Sequence, residues 1–324
     1  MTPLRIFCDH RFNPPALSQL VEGLAPHLLV MARRTVSSVL ARAEADPGLA
    51  AADIAFGQPG LEALKGAPRL RWVHVSSAGY TRFDTDAFRA WARGRGMPLT
   101  TSSQVYAQAC AEHVFAFLLA QSRSLPAALA SRAPHGSPDW LRRRAAPRTP
   151  RGERVLLLGY GTIAEHLIPL LRAFDMRIVA LRRHPRGDEA VPVVTPADLG
   201  SALAGADHVI SLLPDNASTR GFINRERLAA MKPGAVFYNI GRGTTVDQEA
   251  LAEALHAGHL RAAWLDVTDP EPLPDGHPLW EAPNCHLTPH LAGGHHTEEE
   301  HLVAHFLDNF RRHLAGEPLL DRVV

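Results

Sequence analysis

The sequence predicts an α/β protein of two domains, each built on a parallel sheet, and three observations carry that prediction. The first hundred residues alternate short apolar runs with helical stretches, the pattern of strands crossing back through helices. A run of four apolar residues, Val155-Leu156-Leu157-Leu158, passes through Gly159-Tyr160-Gly161 directly into a second helical stretch. The same alternation then resumes and continues to Thr288. A chain of 324 residues is long enough for two cores of this kind.

Taken in order, the strands of the first domain are Leu4–Cys8, Leu28–Met31, Asp53–Gly57 and Leu70–Val75, with a helix over Pro15–Gly23. From about Thr100 the pattern changes to one long helix, Val105–Ser122, apolar over most of its surface and suited to a buried link between domains. Arg132 to Arg154 is rich in arginine (Arg142, Arg143, Arg144, Arg148, Arg151) and broken by Pro134, Pro138, Pro147 and Pro150. It reads as a solvated loop or linker. Beyond it come the Val155–Leu158 strand, a helix over Ile163–Phe174, the strand Arg177–Leu181, a helix over Ala197–Ala204, and the strand Asp207–Leu213, stopped by Pro214. The helix Arg225–Met231, strand Ala235–Ile240, helix Asp247–His256, strand Arg261–Val267 and short strand Asn284–Thr288 complete this part. Thr297–Leu314 is a final helix able to return the chain to the first domain, and no repeat of solenoid period is present.

Composition excludes several classes. At 46% hydrophobic and 21% charged residues the chain is neither disordered nor collagen-like. A net charge of +1 gives no global case for nucleic acid or a membrane surface, and no apolar run approaches about 18 residues. Cys8, Cys110 and Cys285 are too scattered for a ligand set and lie in apolar stretches. Buried, reduced thiols in a reducing, cytoplasmic compartment are expected. The segment from Met1 to Cys8 is strand-like and lacks the features of a signal peptide. The 18 histidines form no H-E-x-x-H pattern, so no metal site is expected.

The glycine turn carries chemistry. Gly159, Gly161 and Ala164 stand in the G-x-G-x-x-G/A spacing that ends a strand and opens a helix. Gly159 permits the tight turn, Gly161 lets backbone approach a pyrophosphate, and Ala164 lets the helix pack on the strand. The helix N-terminus, at Thr162 and Ile163, then offers unpaired N–H groups to the phosphates. This is a dinucleotide-binding reading. About 20 residues further on, an NAD-binding unit ends its second strand with Asp or Glu. Here that place holds Arg182, followed by Arg183, and no carboxylate occurs from Ile178 to Gly187. Guanidinium groups suit a 2′-phosphate, so NADP is expected over NAD, with NAD possible as a second cofactor.

Three polar segments follow strand ends, where open parallel sheets bind ligands. They are Asn239-Ile240-Gly241-Arg242-Gly243, Leu265-Asp266 through Glu271, and Thr288-Pro289-His290. Together with Ala111-Glu112-His113, Leu213-Pro214 with Thr219-Arg220-Gly221, and Met231-Lys232-Pro233-Gly234, they make nearly the whole chain resemble the D-isomer-specific 2-hydroxyacid dehydrogenases. That family includes glyoxylate/hydroxypyruvate reductases and phosphoglycerate dehydrogenases. The resemblance implies two Rossmann-like domains, the nucleotide-binding one (101–290) inserted into a substrate domain (1–100 with 291–324). Arg242 would bind the substrate carboxylate and polarise the 2-keto oxygen. His290 would donate the proton to that oxygen, and Glu271 would orient His290 and favour its protonated form. Ser77, Ala78 and Gly79 would hold the substrate carboxylate through backbone N–H groups. Leu213, Pro214, Thr219, Ile240, Gly241 and His290 would line the cofactor, and Asp266 would contact the nicotinamide carboxamide.

Three departures bear on specificity: Gly241 where Ala or Ser is commoner, Gly294-His295 after Ala292-Gly293, and Thr81 where Asp or Asn is frequent. Tyr80 and His295 could alter substrate preference. The resulting expectation is an NADPH-preferring reductase of a small 2-keto acid, glyoxylate or hydroxypyruvate foremost, acting as a homodimer without nucleic-acid or membrane partners. Two alternatives share the fold: a formate dehydrogenase, which has Gln where Glu271 stands, and a nucleotide-sensing corepressor, which can retain the three catalytic positions.

Overall fold

The computed structural model describes residues 2–33 and 46–324. The chain divides into two compact units, Met1–Tyr106 with Gly294–Val324, and Ala107–Gly293. Both are α/β with wholly parallel sheets, so the second unit is inserted in the sequence of the first.

The first unit runs β1 (Arg5–Cys8), α1 (Pro14–Leu24), β2 (Leu28–Met31), α2 (Pro47–Ala50), β3 (Ile54–Gly57), α3 (Leu61–Lys65), β4 (Trp72–Val75), α4 (Asp86–Gly94) and β5 (Leu99–Thr100). Helix α1 starts where Asn13 accepts from the Ala16 N–H with proline at the first helical position, a capping arrangement visible in the sequence. The sheet order β2-β1-β3-β4-β5 places the chain's change of direction at β1. On one face Phe306, from the C-terminal helix, stacks on Phe56 at 4.1 Å between ring centroids and lies 5.4 Å from Trp72. Leu64, Phe83 and Phe88 pack in a second cluster of this unit.

The long helix α5 (Ser103–Ser122) crosses the division between the units. After α6 (Leu125–Leu129) the structure corrects the expected linker. Within Arg132–Arg154 the segment Pro138–Ala145 is a helix, α7. Ser137 caps it by accepting from the Trp140 N–H, Pro138 takes the first position, and Asp139 pairs with Arg142 and with Arg143 at 2.8 Å. Those internal pairs remove the repulsion that made the arginine run look helix-averse.

The second unit continues with β6 (Arg154–Leu158), α8 (Thr162–Ala173), β7 (Arg177–Leu181), β8 (Val193–Val194), α9 (Leu199–Gly205), β9 (His208–Ser211), α10 (Arg225–Ala230), β10 (Val236–Asn239), α11 (Gln248–His256), β11 (Ala262–Leu265), α12 (Pro278–Glu281) and β12 (Cys285–Leu287). Helix α13 (Glu298–Ala315) closes the chain in the first unit. Glu298, Glu299 and Glu300 sit in its first turn, and Gly316 ends it in the left-handed region at φ 70°. The seven-stranded order is β12-β11-β10-β9-β6-β7-β8. From β6 the chain builds outward to β8, then returns to β9 on the other side of β6. The crevice at the carboxyl ends of β6 and β9 is therefore the ligand position of a doubly wound sheet. Cys8 and Cys110 are buried, while Cys285 is only partly so, against the expectation of burial for all three, because β12 is the edge strand. Among the described residues no helix is long and apolar enough to cross a membrane.

Candidate active site

The turn between β6 and α8 is shaped for phosphate. Gly159 stands at φ 112°, where a side chain would be strained, and Gly161 opens α8 in extended conformation with no side-chain cap. An added Cβ on Gly161 would meet nothing within 4 Å, so the backbone there faces open space. The first helical bond is Glu165 N–H to Gly161 O, leaving the N–H groups of Thr162, Ile163 and Ala164 for a ligand. Ala164 is fully buried against the sheet. This donor set fits a dinucleotide pyrophosphate.

At the end of β7 the structure changes one expectation. Arg182 was read as free of any competing acid, but Glu189 folds back onto it, with Nη1 to Oε1 at 3.1 Å. Glu189 also accepts from the Arg186 and Gly187 N–H groups at 2.7 and 2.8 Å, so it closes the turn around Arg182. The Arg186 N–H bond, the further backbone donors and the Arg182 charge hold the Glu189 carboxyl below its ordinary range. The Arg182 guanidinium lies 5.5 Å from the centre of the Tyr160 ring, and the Tyr160 hydroxyl accepts from the Ala190 N–H at 2.8 Å. Arg183 is exposed and reaches Ser218 Oγ at 2.6 Å, in the turn after β9. That turn begins at buried Leu213 and exposed Pro214, and is held by Thr219 Oγ1 donating to Pro214 O at 2.5 Å.

The remaining second-unit residues follow the ends of three neighbouring strands. After β10, Ile240 is buried, and Gly241 packs so closely on the preceding crossover that an added Cβ would lie 2.5 Å from Leu213 O. A Cβ on Gly243 would lie 2.0 Å from the Thr268 backbone. These contacts explain a glycine on each side of Arg242, including the Gly241 departure. Asn239 bridges the loop, accepting from Gly241 N–H at 3.1 Å and donating to Arg242 O at 3.0 Å. Arg242 itself donates to Gly241 O at 2.6 Å. Burial draws its pKa down from the ordinary arginine value, opposed chiefly by the charge of Glu271.

Asp266 follows β11 and is 2% exposed. Its carboxylate accepts from Thr288 Oγ1 at 2.6 Å, Leu291 N–H at 2.7 Å and Ala292 N–H at 2.9 Å, while its carbonyl accepts from His290 N–H at 2.9 Å. These bonds run to the loop after β12 and fix the backbone of His290. That residue holds φ 53°, a conformation non-glycine residues adopt only when the surroundings impose it. His290 Nδ1 and Glu271 Oε2 are 2.8 Å apart, and the other Glu271 oxygen accepts from Thr268 N–H at 3.0 Å. Burial pushes the Glu271 carboxyl upward, yet the His290 bond and charge, the Thr268 N–H and Arg242 together hold it below its ordinary value. The arrangement offers a fixed cation, an imidazole with one nitrogen on a carboxylate, and the other nitrogen available for proton transfer.

Ser77, Ala78 and Gly79 belong to the first unit, just past β4. Ser77 Oγ donates to Gly79 O at 2.6 Å and accepts from Gln58 Nε2 at 3.0 Å. The three backbone N–H groups have no partner among the described residues. Beside this turn lies Asp9, which the sequence reading passed over. It follows β1, is 4% exposed, and accepts from Gln58 N–H at 2.7 Å. Burial pushes its carboxyl up to about 6. Asp9 carried a sequence signal, as a polar residue ending an apolar strand; Glu189, Tyr160 and Ser218 carried none.

The profile of the "D-isomer specific 2-hydroxyacid dehydrogenase, NAD binding domain" matches residues 115–292. The chain is 34% identical over 263 residues to D-3-phosphoglycerate dehydrogenase of Mycobacterium bovis, covering 81% of this chain but 48% of that protein. It thus spans about half the length of the phosphoglycerate dehydrogenases it matches. It is also 34% identical over 285 residues to glyoxylate/hydroxypyruvate reductase B of Pectobacterium atrosepticum, covering 84% of this chain and 85% of that one. Among solved structures, an NADPH-dependent glyoxylate/hydroxypyruvate reductase from Sinorhizobium meliloti, in complex with NADP and malonate, superposes with TM-score 0.75 at 27% identity, covering 100% of this chain and 97% of the other. The strand-end chemistry, the doubly wound sheet and these matches agree: the chain belongs to the D-isomer specific 2-hydroxyacid dehydrogenase family.

Proposed function

We propose that the protein transfers a hydride between NADP(H) and a small 2-keto or 2-hydroxy acid, glyoxylate or hydroxypyruvate being the leading substrates. The observation that carries this reading is the constellation of Arg242, Glu271 and His290 at the carboxyl ends of β10, β11 and β12, with the His290–Glu271 bond at 2.8 Å. When bound, the nicotinamide supplies or accepts the hydride. Arg242 clamps the substrate carboxylate with part of its fork and polarises the keto oxygen with the rest. His290, its Nδ1 held by Glu271, delivers a proton from Nε2 to that oxygen in reduction and removes it in oxidation. The N–H groups of Ser77, Ala78 and Gly79 are assigned to the substrate carboxylate. The Gly159–Ile163 turn, Leu213, Pro214, Thr219, Ile240, Gly241 and Asp266 are assigned to the cofactor.

The NADP preference rests on Arg182 and Arg183. Glu189 compensates Arg182, so Arg183 carries more of the selectivity than its neighbour. The NADPH dependence in the name of the Sinorhizobium relative supports the same choice. A homodimer in the cytoplasm completes the reading, on family resemblance and the free cysteines. The test is steady-state turnover of a 2-keto-acid panel with NADPH and NADH, repeated with Arg242→Ala. Loss of a charge-assisted clamp costs roughly 1.5–3 kcal/mol in binding alone, so kcat/KM should fall at least about tenfold to a hundredfold while cofactor affinity stays near wild type. Near-normal turnover by the variant would remove Arg242 from the mechanism.

A further inference from the structure

A cleft of about 880 Å³ lies in the first unit, at the amino-terminal edge of its sheet. Its lining residues precede strands: Asp53 stands before β3, Arg71 before β4 and Pro98 before β5. The Ser77 turn follows the carboxyl end of β4, so the cleft and that turn occupy opposite ends of one strand. Four guanidinium groups, those of Arg69, Arg71, Arg95 and Arg322, line it against the carboxylates of Asp53 and Glu317.

The charge is less balanced than that ratio suggests. Asp53 is spent within the wall, its buried carboxylate accepting from Arg69 at 3.1 Å and from the Arg5 N–H at 2.9 Å. Arg95 is pinned by neutral acceptors, with Nη2 donating to the carbonyls of Pro68, Leu70 and Ala67 at 2.9 to 3.3 Å, and its guanidinium packs 5.4 Å from the centre of the Trp91 ring. Its orientation is therefore fixed while its charge is left uncompensated. Arg322 donates through Nε to Val324 O at 2.7 Å, and no acceptor among the described residues meets its two terminal amino groups. No acceptor among the described residues meets the guanidinium of Arg71. Donors held in place by carbonyls lose little freedom on meeting an anion, which is the condition for tight capture by few contacts. Planar forks match carboxylate and phosphate oxygens alike.

We infer that this cleft is a binding site for a small polyanion carrying two or more carboxylate or phosphate groups, separate from the site that holds Arg242. Citrate and inorganic pyrophosphate serve as the two probes, one for each source of charge. Binding is measured by calorimetry at constant ionic strength on the whole chain, as wild type, Arg71→Gln and Arg242→Ala, with circular dichroism to verify folding. Arg71 is exposed and its guanidinium meets no acceptor among the described residues, so its substitution leaves the wall intact. The expected result is saturable binding of one or both probes, weakened about tenfold or more by Arg71→Gln and retained by Arg242→Ala. Which probe binds more tightly tells carboxylate from phosphate. Binding unchanged in Arg71→Gln, binding lost only in Arg242→Ala, or no saturation by either probe up to about 10 mM would overturn the site.

Discussion

Glu271 acts on His290 in two ways that one substitution separates. Its oxygens hold the imidazole and the Thr268 N–H, and its charge favours the imidazolium. Glutamine keeps the hydrogen bonds and removes the charge. Because the Glu271 carboxyl is held below its ordinary value, its negative charge is present at neutral pH and is lost as pH falls through that depressed value. In Glu271→Gln, the alkaline loss of keto-acid reduction and the acid loss of hydroxy-acid oxidation should therefore both move to lower pH. Profiles of kcat/KM in each direction measure this, and unmoved limbs would show that Glu271 is not coupled to the titrating group. Glu189→Gln withdraws the charge that offsets Arg182, so the ratio of kcat/KM for NADPH over NADH should rise several-fold. Arg183→Ala should lower the same ratio about tenfold or more, as expected for a lost charge-assisted phosphate contact. Arg182→Asp would reverse the preference, but it also sets a second carboxylate against Glu189, so a loss of stability should accompany the reversal. If wild type uses NADH as well as NADPH, the arginines form only a solvated turn.

Helix α13 shows how an element far along the chain completes a distant core. Phe306 is fully buried, stacked on Phe56 and Trp72, while Leu302, Val303 and Phe310 seal the same cluster. Phe306→Ala should cost about 3–5 kcal/mol of the first unit's stability, measured by denaturant unfolding, because the flat stack leaves a void no neighbour can fill. A cost under about 1 kcal/mol would mean that α13 docks without contributing to the core. Elements of this kind were legible in the sequence because apolar spacing records burial. Arg177–Leu181 has the bounds predicted, and the other expected strands and helices of the second unit are present, most with trimmed ends, while β6 gains Arg154 and α8 is shifted one residue earlier. The trimming has local causes. Asp207–Leu213 shortens to His208–Ser211, for example, because the Asp207 carboxylate turns to Arg154 N–H and Lys232, and Leu212 begins the crossover turn. Helix α7 was hidden by its composition, although Ser137-Pro138-Asp139 is a helix-start signal. At the site, Arg242, Asp266 and His290 could be singled out because strand ends in a parallel sheet are predictable positions. The Glu189 and Ser218 contacts could not, since they close only when loops 7 and 35 residues away along the chain fold back.

On the scale of the whole molecule, buried titratable groups set how stability responds to acid. Burial is the leading cause that lowers the pKa of His10, His74, His113, His286 and His313, and His74 lies well below its ordinary value. A histidine depressed in the folded state takes up its proton first in the unfolded chain. Its contribution is thus complete above the ordinary value near 6.5 and is lost as pH falls below it. Asp9 works the other way. Burial raises its carboxyl from 3.8 to about 6, so across that window the folded state keeps a proton that the unfolded chain has released, and stability is gained as pH falls. The histidines are several and Asp9 is one, so Tm should decline as pH is lowered from about 7 to about 5. Two variants separate the contributions. His74→Gln should flatten the decline, since glutamine can still meet Thr100 and Ser102 but has no charge to gain. Asp9→Asn should stabilise the protein at neutral pH by on the order of 2 kcal/mol and steepen the decline, because it removes the buried charge together with the compensating proton uptake. Thermal unfolding of the three proteins across this range decides it. A Tm independent of pH in wild type, or an Asp9→Asn curve parallel to wild type, would show that these buried groups do not govern the acid response.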